Sequence, residues 1–291
     1  MTDITGSDVP GIDRGDLESR HRFDVSREAV LGALREAFAT REGRLRFLGR
    51  YTSWNGYFGS AVASLAGAIG RSRAVFLDPE QPVVQVADRS VHVASYFFDA
   101  ARDEFDDRDT VHRDTHRCLA QAVLQGVMDH DAAQGEPWAV EHANQVLQEP
   151  TWLRALSARV AHGYGAHGAG TDVELFRAMG YHLGSEVLAD EEFSHIDAEL
   201  RAAEPGLVSF LEGHSVTIGD VPHGAYVWLG IHSGHGGAVE ADHFDWAVGG
   251  VLRALRYTPP ARRESLREEA LLGFDDFAAD HARFFSRVNE A

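Results

Sequence analysis

The chain has 291 residues, with 27 basic side chains that are all arginine, 45 acidic side chains, 16 histidines and one cysteine, so its formal net charge is −18. The absence of lysine excludes Schiff-base chemistry and a phosphate-binding P-loop, and a single cysteine excludes an intramolecular disulfide and thiolate-based zinc or iron–sulfur sites. The acidic balance disfavours nucleic acid and anionic membranes as partners, whereas histidines and carboxylates remain as ligands for a transition metal.

Helical periodicity dominates the sequence, and strand signals are weak. The acidic segment 1–22 is predicted to be a disordered tail and not a secretory signal, which leaves one domain at 23–291 and a cytoplasmic location. Only 75–77 and 215–218 look extended, and neither has an evident hairpin partner. The prediction is an all-α fold, a single bundle of about seven to eight helices. The candidate helices are 25–49, 51–72, 86–104, 110–130, 137–162, 171–202, 224–257 and 263–288.

Residues 51–70 carry no charge and are long enough to span a bilayer. Their first half is polar and aromatic, and the stretch contains four glycines. This composition favours an internal helix packed on all sides over a membrane helix.

The strongest candidate for a chemical site lies in 230–250. Glu240 and His243 are three residues apart and share one helix face, among apolar neighbours. His235 precedes Glu240 by five residues, and His232 precedes His235 by three. A carboxylate and an imidazole one helical turn apart are typical of metal sites inside helical bundles, whereas the competing interpretation is a solvated pair on an exposed face.

A second candidate lies in 179–200, where His182, Glu186 and Asp190 recur every four residues on one helix face. Glu186 stands between apolar residues, which favours an inward position. The competing interpretation is a solvent-facing acidic surface.

A third candidate lies in 101–124. Glu104 follows an apolar run, and His112 and His116 are four residues apart, with Asp109 two helical turns before His116. On a continuous helix Glu104 and His116 would be too far apart for one site, so the pattern requires either His112 as the ligand or a break in the helix near 106–109. The alternative is a solvated, salt-bridged stretch.

Together these motifs resemble the haem-oxygenase-like di-metal oxidases, relatives of the thiaminase-II and pyrroloquinoline-quinone-synthase fold. That family takes ligands from an early Glu and His, a middle Glu and a late His, acid and His, and the order here matches across about 45–257. The late motif is one residue longer than the family form, which a π-bulge at Gly236–Gly237 would accommodate. His232 competes with His235 but would lie about 16 Å from His243 on an unbroken helix.

The resemblance implies a haem-oxygenase-like helical domain that binds two Fe(II) ions and uses O2 as co-substrate, with manganese as an alternative metal. The implied ligands are Glu104, His112, His116, Glu186, His235, Glu240 and His243, and Asp109 and Asp190 are further candidates. The implied reaction is C–H cleavage on a small aliphatic amino acid or amine, by desaturation, ring closure or oxidative fragmentation, in specialised metabolism. An external electron donor and a homodimer are compatible with this assignment.

Tyr51, Trp54 and Tyr181 are candidate walls of a substrate pocket, although they are equally consistent with core aromatics. Because there is no lysine, a substrate carboxylate would have to meet an arginine or backbone N–H groups. The alternatives are an N-oxygenase of the same superfamily, a metal-free relative of the thiaminase or quinone-synthase type with Cys118 as its only thiol, and a helical binding protein that uses its histidines only structurally.

Overall fold

The computed structural model describes residues 9–77, 89–107, 110, 114–166, 168, 170–233 and 239–290, with only the backbone described at 190 and 239–243. Nearly all of the described elements are helices, which confirms the all-α prediction. The helices are α1 Arg14–Arg20, α2 Phe23–Phe38, α3 Arg41–Asn55, α4 Phe58–Arg71, α5 Arg89–Phe105, α6 His116–Ala133, α7 Val140–Val146, α8 Thr151–Gly163, α9 Asp172–Ala203, α10 Pro205–Gly213, α11 Val227–His232, α12 Val239–Arg256 and α13 Pro260–Arg287. The two strands are β1 Ser215–Ile218 and β2 Val221–Gly224.

Short polar residues and proline set where several helices begin. Thr171 and Glu174 form a reciprocal capping box at the start of α9, in which each side chain accepts a hydrogen bond from the other residue's backbone N–H. Thr115 accepts from the backbone N–H of Cys118 and so caps α6 immediately before His116. Pro260 occupies the first position of α13, where its missing N–H costs nothing.

Helix α9 is the central element, and it packs against α13, α12, α2 and α11. It crosses α13 closely because Gly180 and Gly273 have no side chain: a Cβ on Gly180 would meet the carbonyl oxygen of Ala270, and one on Gly273 would meet that of Arg177. Buried apolar residues from α1 to α13 form one contiguous cluster around this crossing. The cavity described below lies on the side of α9 that faces α4, α5, α6 and α11.

Ordered structure begins earlier than the sequence analysis expects. Helix α1 starts with a capping box between Asp13 and Asp16, and its Leu17 is completely buried. Ile12 is also buried in the core. The predicted boundary at Phe23 is therefore too late, because two apolar residues in an otherwise polar segment are enough to anchor a short helix.

The extended segment 215–218 does have a partner. It pairs antiparallel with β2 through a two-residue turn at Gly219 and Asp220, whose φ angles of 58° and 67° are both left-handed. This turn type suits the twist of a hairpin. Pro222 and Gly224 are poor strand formers, so the sequence of β2 does not predict a strand.

Several predicted helices are divided in the structure. Segment 25–49 is split between α2 and α3, and 51–72 is split near Gly56, between α3 and α4. The predicted helix 224–257 comprises the end of β2, α11 and α12. In the described ranges, no helix has the length and apolar character that a bilayer crossing requires.

Candidate metal centre

A cavity of about 450 Å³ lies beside α9 and is lined by carboxylates and imidazoles from four helices. Glu104 comes from the last turn of α5, His116 from the first residue of α6, Glu186 from the middle of α9 and His232 from the last residue of α11. Residues from all three candidate segments, 101–124, 179–200 and 230–250, therefore line one cavity, the last of them through His232. Predicted ligands Glu104, His116 and Glu186 all line this cavity, as does the competing candidate His232.

A break in the helical path brings His116 back towards α5. Helix α5 ends at Phe105, α6 begins at His116, and the backbone N–H of Asp107 donates to the carbonyl of Asp114 over 2.9 Å. Asp114 in turn lies 2.7 Å from His223 of β2, measured from Oδ1 to Nδ1, and both side chains are buried. Of the two alternatives left by the sequence, the break in the helix is present, and the contact of Asp114 with His223 ties this segment to the hairpin.

Asp107, His116 and His232 form a group of donors that could hold one metal ion. One ligand atom from each lies within 4.8 Å of the other two. Donors around a transition-metal ion at about 2.1 Å can be about 4 Å apart, so small side-chain movements would close this group on one ion. Two imidazoles and a carboxylate are also the donor types that non-haem iron and manganese prefer.

The tautomer of His232 is fixed by a hydrogen bond. Its Nδ1 lies 2.7 Å from the backbone carbonyl of Trp228, which can only accept, so Nδ1 carries the proton. In the neutral ring Nε2 is then the atom with a lone pair for a metal. The ring of His232 stacks on Phe193 and meets the ring of His116 edge-on, with centroids 4.6 Å apart in each case.

His116 has a carboxylate at each ring nitrogen. Its Nε2 lies 2.7 Å from Asp107 Oδ2, and its Nδ1 lies 3.3 Å from Glu104 Oε2. Burial alone would lower the pKa of His116, but the nearby carboxylates of Glu104 and Asp107 outweigh burial and raise it to about 10. Without a bound cation the ring is therefore an imidazolium at neutral pH.

Glu104 occupies the side of His116 opposite to Asp107. If Nε2 of His116 binds an ion beside Asp107, Glu104 accepts a hydrogen bond from Nδ1–H of the same ring. Such a hydrogen bond orients metal-bound histidines. The backbone of α4 fixes this carboxylate closely, since a Cβ on Gly59 would lie 2.8 Å from Cβ of Glu104 and 3.2 Å from its Oε2. The sequence predicted a direct ligand here, and the geometry gives Glu104 an orienting position next to His116.

Glu186 enters the cavity with a partner of its own. Its Oε1 lies 3.3 Å from Nδ1 of His182, one turn earlier on α9. The hydroxyl of Tyr164, which also lines the cavity, lies 2.7 Å from Ser185 Oγ. Burial raises the pKa of Tyr164, and the charges of Glu186 and Glu104 add to that shift, so the phenol stays protonated.

Part of the predicted ligand set lies outside the described residues. This applies to His112, His235, Asp109 and the bulge proposed at Gly236–Gly237, and to the side chains of Glu240, His243 and Asp190. These predictions stay untested.

The backbone of α12 nevertheless places its first residues at the end of the bundle where Glu104 lies. Helix α12 runs antiparallel to α5, because Gly250 lies against Phe97 and Tyr257 bonds to His92 over 2.9 Å. Glu104 is seven residues after Phe97 on α5, and His243 is seven residues before Gly250 on α12. Because the two helices are antiparallel, both positions are at the same end of the helix pair.

The predicted aromatic pocket is only partly the wall of the cavity. Trp54 lines it, whereas Tyr51 and Tyr181 are absent from the described lining. The hydroxyl of Tyr51 donates to Glu192 over 2.8 Å, and that of Tyr181 donates to Asp280 over 3.1 Å. Tyr51 thus reaches the cavity through a buried carboxylate, and Tyr181 supports the packing behind it.

Two acidic residues were missed by the sequence analysis. Asp107 looked like part of a solvated acidic run, and Glu192 like part of an exposed face of α9. Both are buried, and Glu192 lines the cavity with its Oε1 2.8 Å from His281 Nε2. Cys118 is absent from the described lining, so its position gives no support to a thiol-based mechanism.

No family model, curated protein or solved structure matches this chain in comparisons with known proteins.

Proposed function

We propose that this chain is a non-haem di-iron oxidase that uses O2 to cleave a C–H bond of a small aliphatic amino acid or amine. The observation that carries the proposal is the convergence of Glu104, His116, Glu186 and His232, from four helices, on one cavity. A mixture of carboxylates and imidazoles inside a helical bundle is the donor set of non-haem di-iron proteins. The haem-oxygenase-like resemblance of the sequence motifs supports the same assignment.

The donors divide into two groups that suit two ions. Asp107, His116 and His232 would hold one ion, and Glu186 would serve the second together with Glu240 and His243 of α12. Two ferrous ions would supply the electrons and open coordination positions for O2 activation.

The chain's own residues prepare the site for that chemistry. Glu104 accepts a hydrogen bond from Nδ1–H of His116, and the Trp228 carbonyl accepts one from Nδ1–H of His232, so that both rings would present Nε2 to an ion. Trp54, Phe58 and Phe277 line the cavity with apolar surface that excludes water from a reactive centre. The Tyr164 hydroxyl, which lies 2.7 Å from Ser185 Oγ, adds a polar group to the same wall.

Iron binding provides the test. After anaerobic loading with Fe(II) and removal of free metal, we expect about two irons per wild-type chain and O2 consumption on exposure to air. His116→Gln and Glu186→Gln should each lose iron and O2 consumption, because each removes a donor but keeps a polar side chain of similar size. A wild-type chain without iron, or two irons retained in both variants, would overturn the proposal.

Glu199→Gln is the matched control. Glu199 is on the same helix as Glu186 but pairs with Arg35 at the surface, 3.4 Å apart, and is not in the cavity lining. It should load iron like the wild type. Identification of the product then distinguishes C–H cleavage from N-oxygenation of the same class of amine.

A further inference from the structure

We propose that Arg117 binds the carboxylate of the substrate at the mouth of this cavity, so that the substrate is a carboxylic acid whose chain extends inward. This inference rests on the proposed function, because the bound carboxylate is a substrate only if the chain is that enzyme. Arg117 follows His116 directly on α6, is itself solvent-exposed, and is the only arginine among the described residues of the lining. It can therefore be reached both from the solvent and from the cavity.

A backbone carbonyl and a glycine hold the guanidinium of Arg117 in position. Its Nη1 donates to the carbonyl of Thr52 over 2.9 Å, and Gly56 leaves the space it occupies, because a Cβ there would lie 2.8 Å from Cζ. Among the described residues, no carboxylate lies within ion-pair distance of Arg117. Its Nε and Nη2 remain for a carboxylate, which such a planar pair of donors binds in a bidentate manner.

The first turn of a helix is an electrostatically unfavourable position for an arginine. Arg117 is in the first turn of α6, an 18-residue helix, where the helix dipole already places partial positive charge. Since Arg117 has no carboxylate partner in the described part of the chain, an anion bound beside it would be stabilised by both the guanidinium and the helix N-terminus. The chain as a whole has a net charge of −18, so this concentration of positive charge is local.

The charges along the cavity then define the class of ligand. Arg117 is solvent-exposed, whereas the three carboxylates that also line the cavity are less exposed, at 28%, 14% and 4% for Glu104, Glu186 and Glu192. A molecule with a carboxylate at one end and an apolar chain or an amine at the other matches this order. A volume of about 450 Å³ is in the range of small-molecule sites.

The test uses three six-carbon probes and the full-length protein in the presence of EDTA, so that no metal can bind the carboxylate. Affinities for hexanoate, hexan-1-ol and hexylamine are measured by ligand-detected NMR titration. The wild type should prefer hexanoate to hexan-1-ol by about tenfold or more, since the two differ mainly in the charge-assisted hydrogen bonds to arginine. Arg117→Met should abolish this preference and change hexan-1-ol affinity less than about twofold.

Arg154→Met is the matched control, because Arg154 is also exposed and also donates to a backbone carbonyl, that of Glu149 over 2.6 Å, but is not in the described lining. It should keep the preference for hexanoate. Equal affinities for hexanoate and hexan-1-ol in the wild type, no binding of either, or an unchanged preference in Arg117→Met would overturn the inference. Fe(II) loading is measured separately on EDTA-free samples of the same variants: failure of the wild type to load iron refutes the di-iron proposal alone, whereas the probe titrations decide the role of Arg117.

Discussion

His116 should release a proton when a divalent ion binds beside it. With its pKa at about 10, the ring carries a proton on both nitrogens throughout the neutral range. An ion beside Asp107 requires the lone pair of Nε2 and so displaces the proton that now bonds to Asp107 over 2.7 Å. The other proton stays on Nδ1, where it is hydrogen-bonded to Glu104.

The magnitude follows from the competition between proton and ion. Below the pKa of the free site, each unit of pH removes a factor of about ten in proton activity, so the apparent Kd for the ion should fall about tenfold per pH unit. Between pH 7 and pH 9 the affinity therefore rises about a hundredfold, or about 2.7 kcal/mol. The increase should level off as pH passes 10.

Isothermal titration with Mn(II), in buffer pairs of different ionisation enthalpy at the same pH, counts the protons released. We expect about one proton for the first ion bound at pH 8. Asp107→Asn removes one of the two carboxylates that raise the pKa of His116, so its proton count at pH 8 should be lower. Release of fewer than about 0.2 protons per ion in the wild type at pH 8 would refute this account of the site.

Two packing predictions concern the parts of the fold that support the site. Gly59→Ala places a Cβ 2.8 Å from Glu104 Cβ, which should cost about 1–3 kcal/mol of stability and reduce iron loading, whereas Gly32→Ala, with no atom within 4 Å of the added Cβ, should be neutral or stabilising. Unchanged stability and iron content in Gly59→Ala would contradict the close contact of α4 with Glu104. Leu17→Ala empties a completely buried position and should cost about 2–5 kcal/mol in urea denaturation, whereas Val25→Ala, 55% exposed, should change stability by less than about 0.5 kcal/mol. Equal effects would show that α1 is not part of the core.

Sequence periodicity predicts which residues share a helix face, and this is why Glu104 and Glu186 could be selected as inward carboxylates. It does not show where the chain leaves a helix. The distances used to weigh His116 and His232 assumed unbroken helices, but α5 ends at Phe105 and α11 ends at His232. The distance of about 16 Å expected between His232 and His243 on an unbroken helix therefore does not apply.

Asp107 and Tyr51 both show that periodicity does not predict which side chains reach the cavity. Asp107 belongs to an acidic run whose composition is that of a solvated loop, but its backbone N–H bonds to the carbonyl of Asp114 and its carboxylate lies 2.7 Å from His116 Nε2. Tyr51 is buried as predicted for an internal aromatic, but it lies behind Glu192 instead of in the wall. Helical phase predicts direction, whereas distance from a cavity depends on how several helices pack together.

The donors Asp107 and His232 are separated in the chain by helices α6 to α10 and by the β hairpin. An unfolded chain cannot hold them around one ion, so an ion bound by them favours the folded state alone. Each tenfold excess of free metal over the dissociation constant then adds about 1.4 kcal/mol to the free energy of unfolding. The metal supply during synthesis would thus influence how much of this protein persists, independently of any reaction that it catalyses.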